Sequence, residues 1–174
     1  MDPVIGHVVA IAFALLFATA AASKLGALPR FCAILADYAL IPPGLIRPVG
    51  LALAAAEVAL ALLWLAPTWR PLASLSSVAL LTVYALAMAV NLIRNRRHIS
   101  CGCGGSGQAL SWALVARNAV YASAAISGFV TNSARETGPV DGMLIVVAVV
   151  VVVVLDRSVD TLIGNHAEMA AWRR

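Results

Sequence analysis

Two cysteines one residue apart, Cys101 and Cys103, stand in the run Arg94-Asn95-Arg96-Arg97-His98-Ile99-Ser100-Cys101-Gly102-Cys103-Gly104-Gly105, where a long apolar segment gives way to a basic loop. Such a pair can close a small disulfide ring if a turn brings the α-carbons to about 5–6 Å, and the intervening glycine supplies the backbone freedom. Arg94, Arg96 and Arg97 favour the thiolate, the species that attacks a disulfide. The third cysteine, Cys32, is a candidate resolving thiol. Thiol–disulfide exchange is therefore the chemistry these spacings favour. His98-x-x-Cys101-x-Cys103 also offers three metal ligands, but structural zinc takes four, so no metal is assigned.

A second set of reactive residues lies inside apolar segments: Glu57, Asn91, Arg117 and Asn118. An ionised group within a membrane is costly and faces a partner or a task. The expectation is a polar bundle interior with Glu57 paired to Arg117, serving either helix register or proton and solute handling. Lys24 reads as a snorkelling anchor, and Trp64, Trp69 and Trp112 as interfacial belt residues.

Those residues need membrane-spanning elements to position them. The 174 residues are 62% hydrophobic and 11% charged, against about 25% charged for a soluble domain. Lipid offers the backbone no hydrogen-bond partners, so a crossing is a helix or part of a closed barrel, and the Ala/Leu/Val-rich runs lack strand alternation. The expected fold is all-α: one integral membrane domain over 1–174, a polytopic bundle of four to five helices. The expected spans are 4–22, 48–66, 72–93, 109–130 and 140–160, the last short of a full crossing on its valine run alone. Leu28 to Tyr38, with apolar residues at i, i+3, i+4 and i+7 from Phe31, reads as a short interfacial helix that could cover the cysteine loop. Two crossings separate Cys32 from Cys101, which puts both on one membrane face.

The N-terminus lacks the basic start of a secretory signal, so the first helix reads as uncleaved. Basic residues concentrate between helices one and two, between three and four, and in the tail; with five crossings this orients the N-terminus outside and the C-terminus in the cytoplasm. The formal charge of +4 reflects that distribution, and no basic, aromatic-interleaved stripe points to nucleic acid.

Asn91-Leu92-Ile93-Arg94, Cys101-Gly102-Cys103-Gly104-Gly105 and Ser111-Trp112-Ala113-Leu114-Val115-Ala116-Arg117-Asn118 together resemble the methylamine-utilisation protein MauE family, within the wider DoxX-like membrane proteins. Lys24-Leu25, Pro29-Arg30-Phe31, Tyr38, Pro42 and Glu57 extend the resemblance into the front half. Asn95 departs from it, standing where glycine is expected after the arginine. The resemblance implies a bacterial inner-membrane protein that helps mature methylamine dehydrogenase, a disulfide-rich client, beside a thioredoxin-fold partner.

On these grounds the chain is expected to act as a thiol–disulfide oxidoreductase through Cys101 and Cys103, with Cys32 available to resolve a mixed disulfide. A quinone could reoxidise the pair, although no residue marks a quinone pocket. Two readings from other classes remain open: an assembly subunit whose cysteine loop is structural or binds metal, and a small-solute transporter built on Glu57 and Arg117.

Overall fold

The computed structural model describes residues 2–96, 99–102, 108–129 and 138–172, with side chains to 165. Six α-helices lie among them: α1 (Pro3–Gly26), α2 (Leu28–Tyr38), α3 (Ile46–Leu65), α4 (Arg70–Ile93), α5 (Trp112–Ala125) and α6 (Pro139–Trp172). Asp2 caps α1 by accepting the Val4 N–H at 2.9 Å, with Pro3 at the first helical position. Short 3-10 turns that begin at Pro43 and Pro67 lead into α3 and α4.

Four helical runs are long and apolar enough to cross a bilayer: Pro3–Gly26, Pro43–Leu65, Pro67–Ile93 and Pro139–Asn165. The chain is an all-α, polytopic integral membrane protein, and its apolar exterior is the surface lipid would cover. The segment expected at 109–130 is different in kind. It forms the 14-residue α5 followed by a 3-10 turn over Ile126–Phe129. The physical reason lies at its ends, where Ala109 pairs with Ser100 in the loop and the Ser127-Gly128 step tightens into the 3-10 turn, while Arg117 and Asn118 sit inside α5. The helix nevertheless returns along α4: Leu114 packs with Met88 and Leu92 near the end of α4, while Ser74 near its start donates to the Ala125 carbonyl at 2.6 Å.

The core has two parts. In one, Phe13 of α1 stacks on Trp64 of α3 at 4.8 Å between ring centroids, beside Phe17, Leu60, Leu81 and Ala125. Trp64 is 1% exposed and donates its indole N–H to Ser77 Oγ at 3.0 Å. Its expected place in an interfacial belt is thus corrected: α1 and α4 close over the ring, and its N–H finds a partner inside. Trp69 and Trp112 remain exposed. The other part gathers Tyr38, Met88, Leu92, Ile99, Leu110 and Leu114 beneath the cysteine loop.

Candidate functional site

The loop that carries the cysteines begins where α4 ends, and the ending is a left-handed cap. The Asn95 N–H reaches Leu92 O at 3.0 Å, the Arg96 N–H reaches Asn91 O at 2.9 Å, and Asn95 itself has φ +60. Glycine is commonest at such a position and asparagine the usual substitute, so the departure noted at Asn95 keeps the same backbone turn. Beyond it, Ser100 and Ala109 form an antiparallel bridge. The Cys101 N–H donates to Gln108 O at 2.9 Å and the Leu110 N–H to Ile99 O at 3.0 Å. Two backbone hydrogen bonds therefore clamp the base of the loop.

Cys101 is half-buried in this clamp. Its thiol donates to Met88 Sδ at 3.7 Å, and its carbonyl accepts from the Tyr38 hydroxyl at 3.1 Å. Tyr38 is the last residue of α2, so the amphipathic helix packs on the loop. Gly102 has φ +72, and a Cβ there would stand 3.1 Å from Ile34 Cγ2 of the same helix. Only glycine adopts this conformation without strain. Gly102→Ala should cost about 1–2 kcal/mol from the left-handed backbone alone, and more from the displaced Ile34. Unfolding in a denaturing detergent series checks this; a variant as stable as the parent would refute the packing of α2 on the loop.

Cys32 occupies another face of α2. It is a half-buried free thiol lying over α3, where a Cβ on Gly50 would meet its Sγ at 3.4 Å. The Tyr38 contact puts α2 and the loop at one end of the bundle, with the Cys32 thiol turned to α3. Cys103, Arg97 and His98 lie outside the described residues. Of the other cations expected to favour the thiolate, Arg94 is exposed and Arg96 half-buried.

The polar interior is built from more residues than the sequence suggested. Glu57 pairs with Lys24, Oε1 to Nζ 2.7 Å, at 1% and 3% exposure respectively. The same Oε1 accepts the Tyr84 hydroxyl at 2.9 Å. Lys24 lies 5.3 Å from the Phe31 ring centroid and 5.6 Å from that of Tyr84. This corrects two expectations: Lys24 does not snorkel, and Arg117 is not the partner of Glu57. The reason is that α1 runs on to Gly26, which keeps Lys24 within the helix and against α3. Arg117 instead forms an ion pair with Asp160 of α6 and lies 5.7 Å from the Tyr121 ring centroid; the Tyr121 hydroxyl donates to Asp156. Asn91 and Asn118 are buried and donate to the carbonyls one turn back, Ala87 O and Leu114 O.

Glu57 and Arg117 do meet, across a cavity of about 40 Å³ that Lys24, Tyr84, Asn118 and Tyr121 also line. The Gln108 amide donates to the Asp160 carbonyl at 2.7 Å, which ties the base of the cysteine loop to the helix that holds Arg117. Tyr84, Asp156 and Asp160 were the residues that sequence reasoning passed over, and Lys24 was read as an anchor rather than a partner. One signal was available: two carboxylates four apart at the end of an apolar run share a helix face, and a facing cation was required.

Comparison with known proteins gives a consistent match. The family model described as methylamine utilisation protein MauE covers residues 2–131, from the start of α1 through α5. Curated proteins named methylamine utilization protein MauE are similar along most of their length. The one from Paracoccus versutus is 37% identical over 149 residues, covering 82% of this chain and 80% of its own. The one from Paracoccus denitrificans is 37% identical over 130 residues, covering 73% and 69%. The one from Methylorubrum extorquens is 34% identical over 143 residues, covering 80% and 77%. No solved structure matches the chain.

Proposed function

Because this chain belongs to the methylamine utilisation protein MauE family, we propose that it is a membrane thiol–disulfide redox protein of methylamine utilisation that works through Cys101 and Cys103. The observation that supports this reading best is the treatment of Cys101. Its main chain is fixed on both sides, by Gln108 and by Tyr38, while its side chain stays half-buried at the end of the bundle. A fixed backbone holds the Cys101 sulfur, set here against Met88 Sδ, in one place for exchange with a second thiolate.

In the proposed cycle a thiolate of a thioredoxin-fold partner attacks the Cys101–Cys103 disulfide. One partner sulfur bonds to one cysteine, and the other cysteine leaves as thiolate. The partner's second thiolate then breaks the mixed bond, so the partner gains the disulfide and this chain holds the dithiol, which a quinone taking up two electrons and two protons would return to the disulfide. Two electrons pass from partner to loop, and Cys32 is the spare thiol that could resolve a stalled mixed disulfide. The client is a disulfide-rich protein such as methylamine dehydrogenase. The family membership suggests the inner membrane, and the count of basic loops orients the N-terminus outside, which would put the cysteine loop and Cys32 on the cytoplasmic face.

Intact-mass analysis after alkylation tests the chemistry. The expected result is a reductant-sensitive loss of two hydrogens confined to Cys101 and Cys103, absent from Cys101→Ser and from Cys103→Ser. Full alkylation of both thiols under every oxidising condition would sink the redox reading. The same alkylation with a membrane-impermeant reagent on intact cells reports the side of the loop.

A further inference from the structure

We infer that Met88 is a positioning residue of the thiol pair. Its buried thioether accepts the Cys101 S–H, stabilises the dithiol and makes Cys101 the sulfur released, not the sulfur bonded, when a partner attacks. The inference rests on the thiol reading above and deepens it. Two observations carry it. The Cys101 thiol donates to Met88 Sδ at 3.7 Å, and Met88, at 1% exposure, belongs to the cluster of Leu92, Ile99, Leu110 and Leu114 against which Cys101 packs. The sulfur therefore points toward α4, into the bundle. Its main chain is bonded on both sides, the N–H to Gln108 O at 2.9 Å and the carbonyl from the Tyr38 hydroxyl at 3.1 Å. At the next residue, a Cβ on Gly102 would stand 3.1 Å from Ile34 and 3.6 Å from Phe31 of α2. Only rotation of the side chain itself could turn the sulfur outward, at the loss of its acceptor.

A thioether has lone pairs and no proton, so it can accept from a thiol but gives nothing to a thiolate or to a disulfide sulfur. A hydrogen bond made only to the protonated form favours that form. Met88 thus stabilises reduced Cys101 and not the disulfide, and a stabilised reduced form is what makes a disulfide a stronger oxidant. That is the direction the proposed cycle needs, with electrons passing from partner to loop. Access points the same way, because the sulfur attacked is the one an incoming thiolate can reach. Buried residues of α4 and α2 stand on two sides of Cys101. In the step, the partner thiolate bonds to Cys103 Sγ, and the Cys101–Cys103 bond breaks with its electron pair on Cys101. Cys101 takes a proton from water and donates it to Met88 Sδ. The partner's second thiolate then displaces Cys103, which takes a proton in turn, so that two electrons have entered the loop.

Equilibration with glutathione tests both parts on the full chain in lipid nanodiscs, in a Cys32→Ser background so that only the loop thiols report. Intact mass after acid quenching and alkylation gives the disulfide fraction across mixtures of reduced and oxidised glutathione. Met88→Leu keeps the volume and removes the acceptor, so its midpoint should move about two- to fivefold toward more reducing mixtures. An unmoved midpoint, or one moved the other way, would overturn the role of Met88 and leave the thiol reading intact. A parent chain that forms no disulfide in any mixture would instead end the thiol reading and this inference with it. The second part is read from chains with one loop thiol, which need no change at Met88 and so decide the matter even if Met88→Leu fails to fold. With oxidised glutathione, the Cys101→Ser chain should form a mixed disulfide on Cys103 about tenfold faster than the Cys103→Ser chain forms one on Cys101. Equal rates, or a faster Cys101, would overturn the assignment.

Discussion

Glu57→Ala should destabilise the protein by about 3–5 kcal/mol, because it leaves the Lys24 ammonium buried without its counter-charge. Lys24 is 3% exposed and the two ring faces beside it, Phe31 and Tyr84, cannot replace a carboxylate. Lys24→Met should cost a similar amount by stranding the carboxylate. Removing both charges with side chains of matching volume, Lys24→Met with Glu57→Leu, should recover most of the loss. It would still remove the hydrogen bond that Tyr84 donates to the carboxylate, worth about 1.5–3 kcal/mol. Unfolding in a denaturing detergent series, arranged as a double-mutant cycle, gives the coupling directly. Simple additivity of the two single losses would mean that the ion pair does not hold α1 to α3.

Gly128→Val should come close in magnitude for a steric reason. A Cβ at Gly128 would lie 2.8 Å from Trp64 Cη2 and 2.9 Å from Ser74 Cβ. Neither neighbour can yield. Trp64 is stacked on Phe13 and hydrogen-bonded to Ser77, and Ser74 is bonded to the Ala125 carbonyl. Alanine there should cost about 1–3 kcal/mol, with valine beyond that range because it adds two more methyl groups. The control is Gly26→Ala, where a Cβ meets nothing within 4 Å. A valine variant as stable as the control would show that the turn after α5 does not seat against α3 and α4.

The fold was legible where burial by lipid dictates sequence. Long apolar runs over α1, α3 and α4 are required by the bilayer, and the period of Phe31, Ile34, Leu35 and Tyr38 marks α2 at its observed bounds. Composition could not reveal which apolar faces meet. Trp64 and Trp69 are five residues apart on similar backgrounds, yet one is enclosed and the other open. The site was legible as a set of residue types and illegible as pairs. Glu57 and Arg117 stood out because charge in an apolar run is rare. Lys24 did not, because a lysine near a span end is ordinarily anchored in the interface. Asp160 did not, because it belongs to a helix that outruns its valine stretch.

The two ion pairs differ in when they can form during synthesis. Lys24 and Glu57 belong to successive spans, so their pair can close as soon as that hairpin has left the ribosome. Arg117 has no such early companion. An arginine at the centre of an inserting helix costs about 2.5–3.5 kcal/mol, and the carboxylate that answers it, Asp160, is made only with α6. The short, polar α5 thus becomes comfortable in lipid only after α6 arrives. Gln108, bonded to the Asp160 carbonyl, delays the final shape of the cysteine loop to that same moment. A chain truncated before α6 would keep the contacts of Cys101 with α2 and α4 but lack both the Gln108 tie to Asp160 and the carboxylate that answers Arg117.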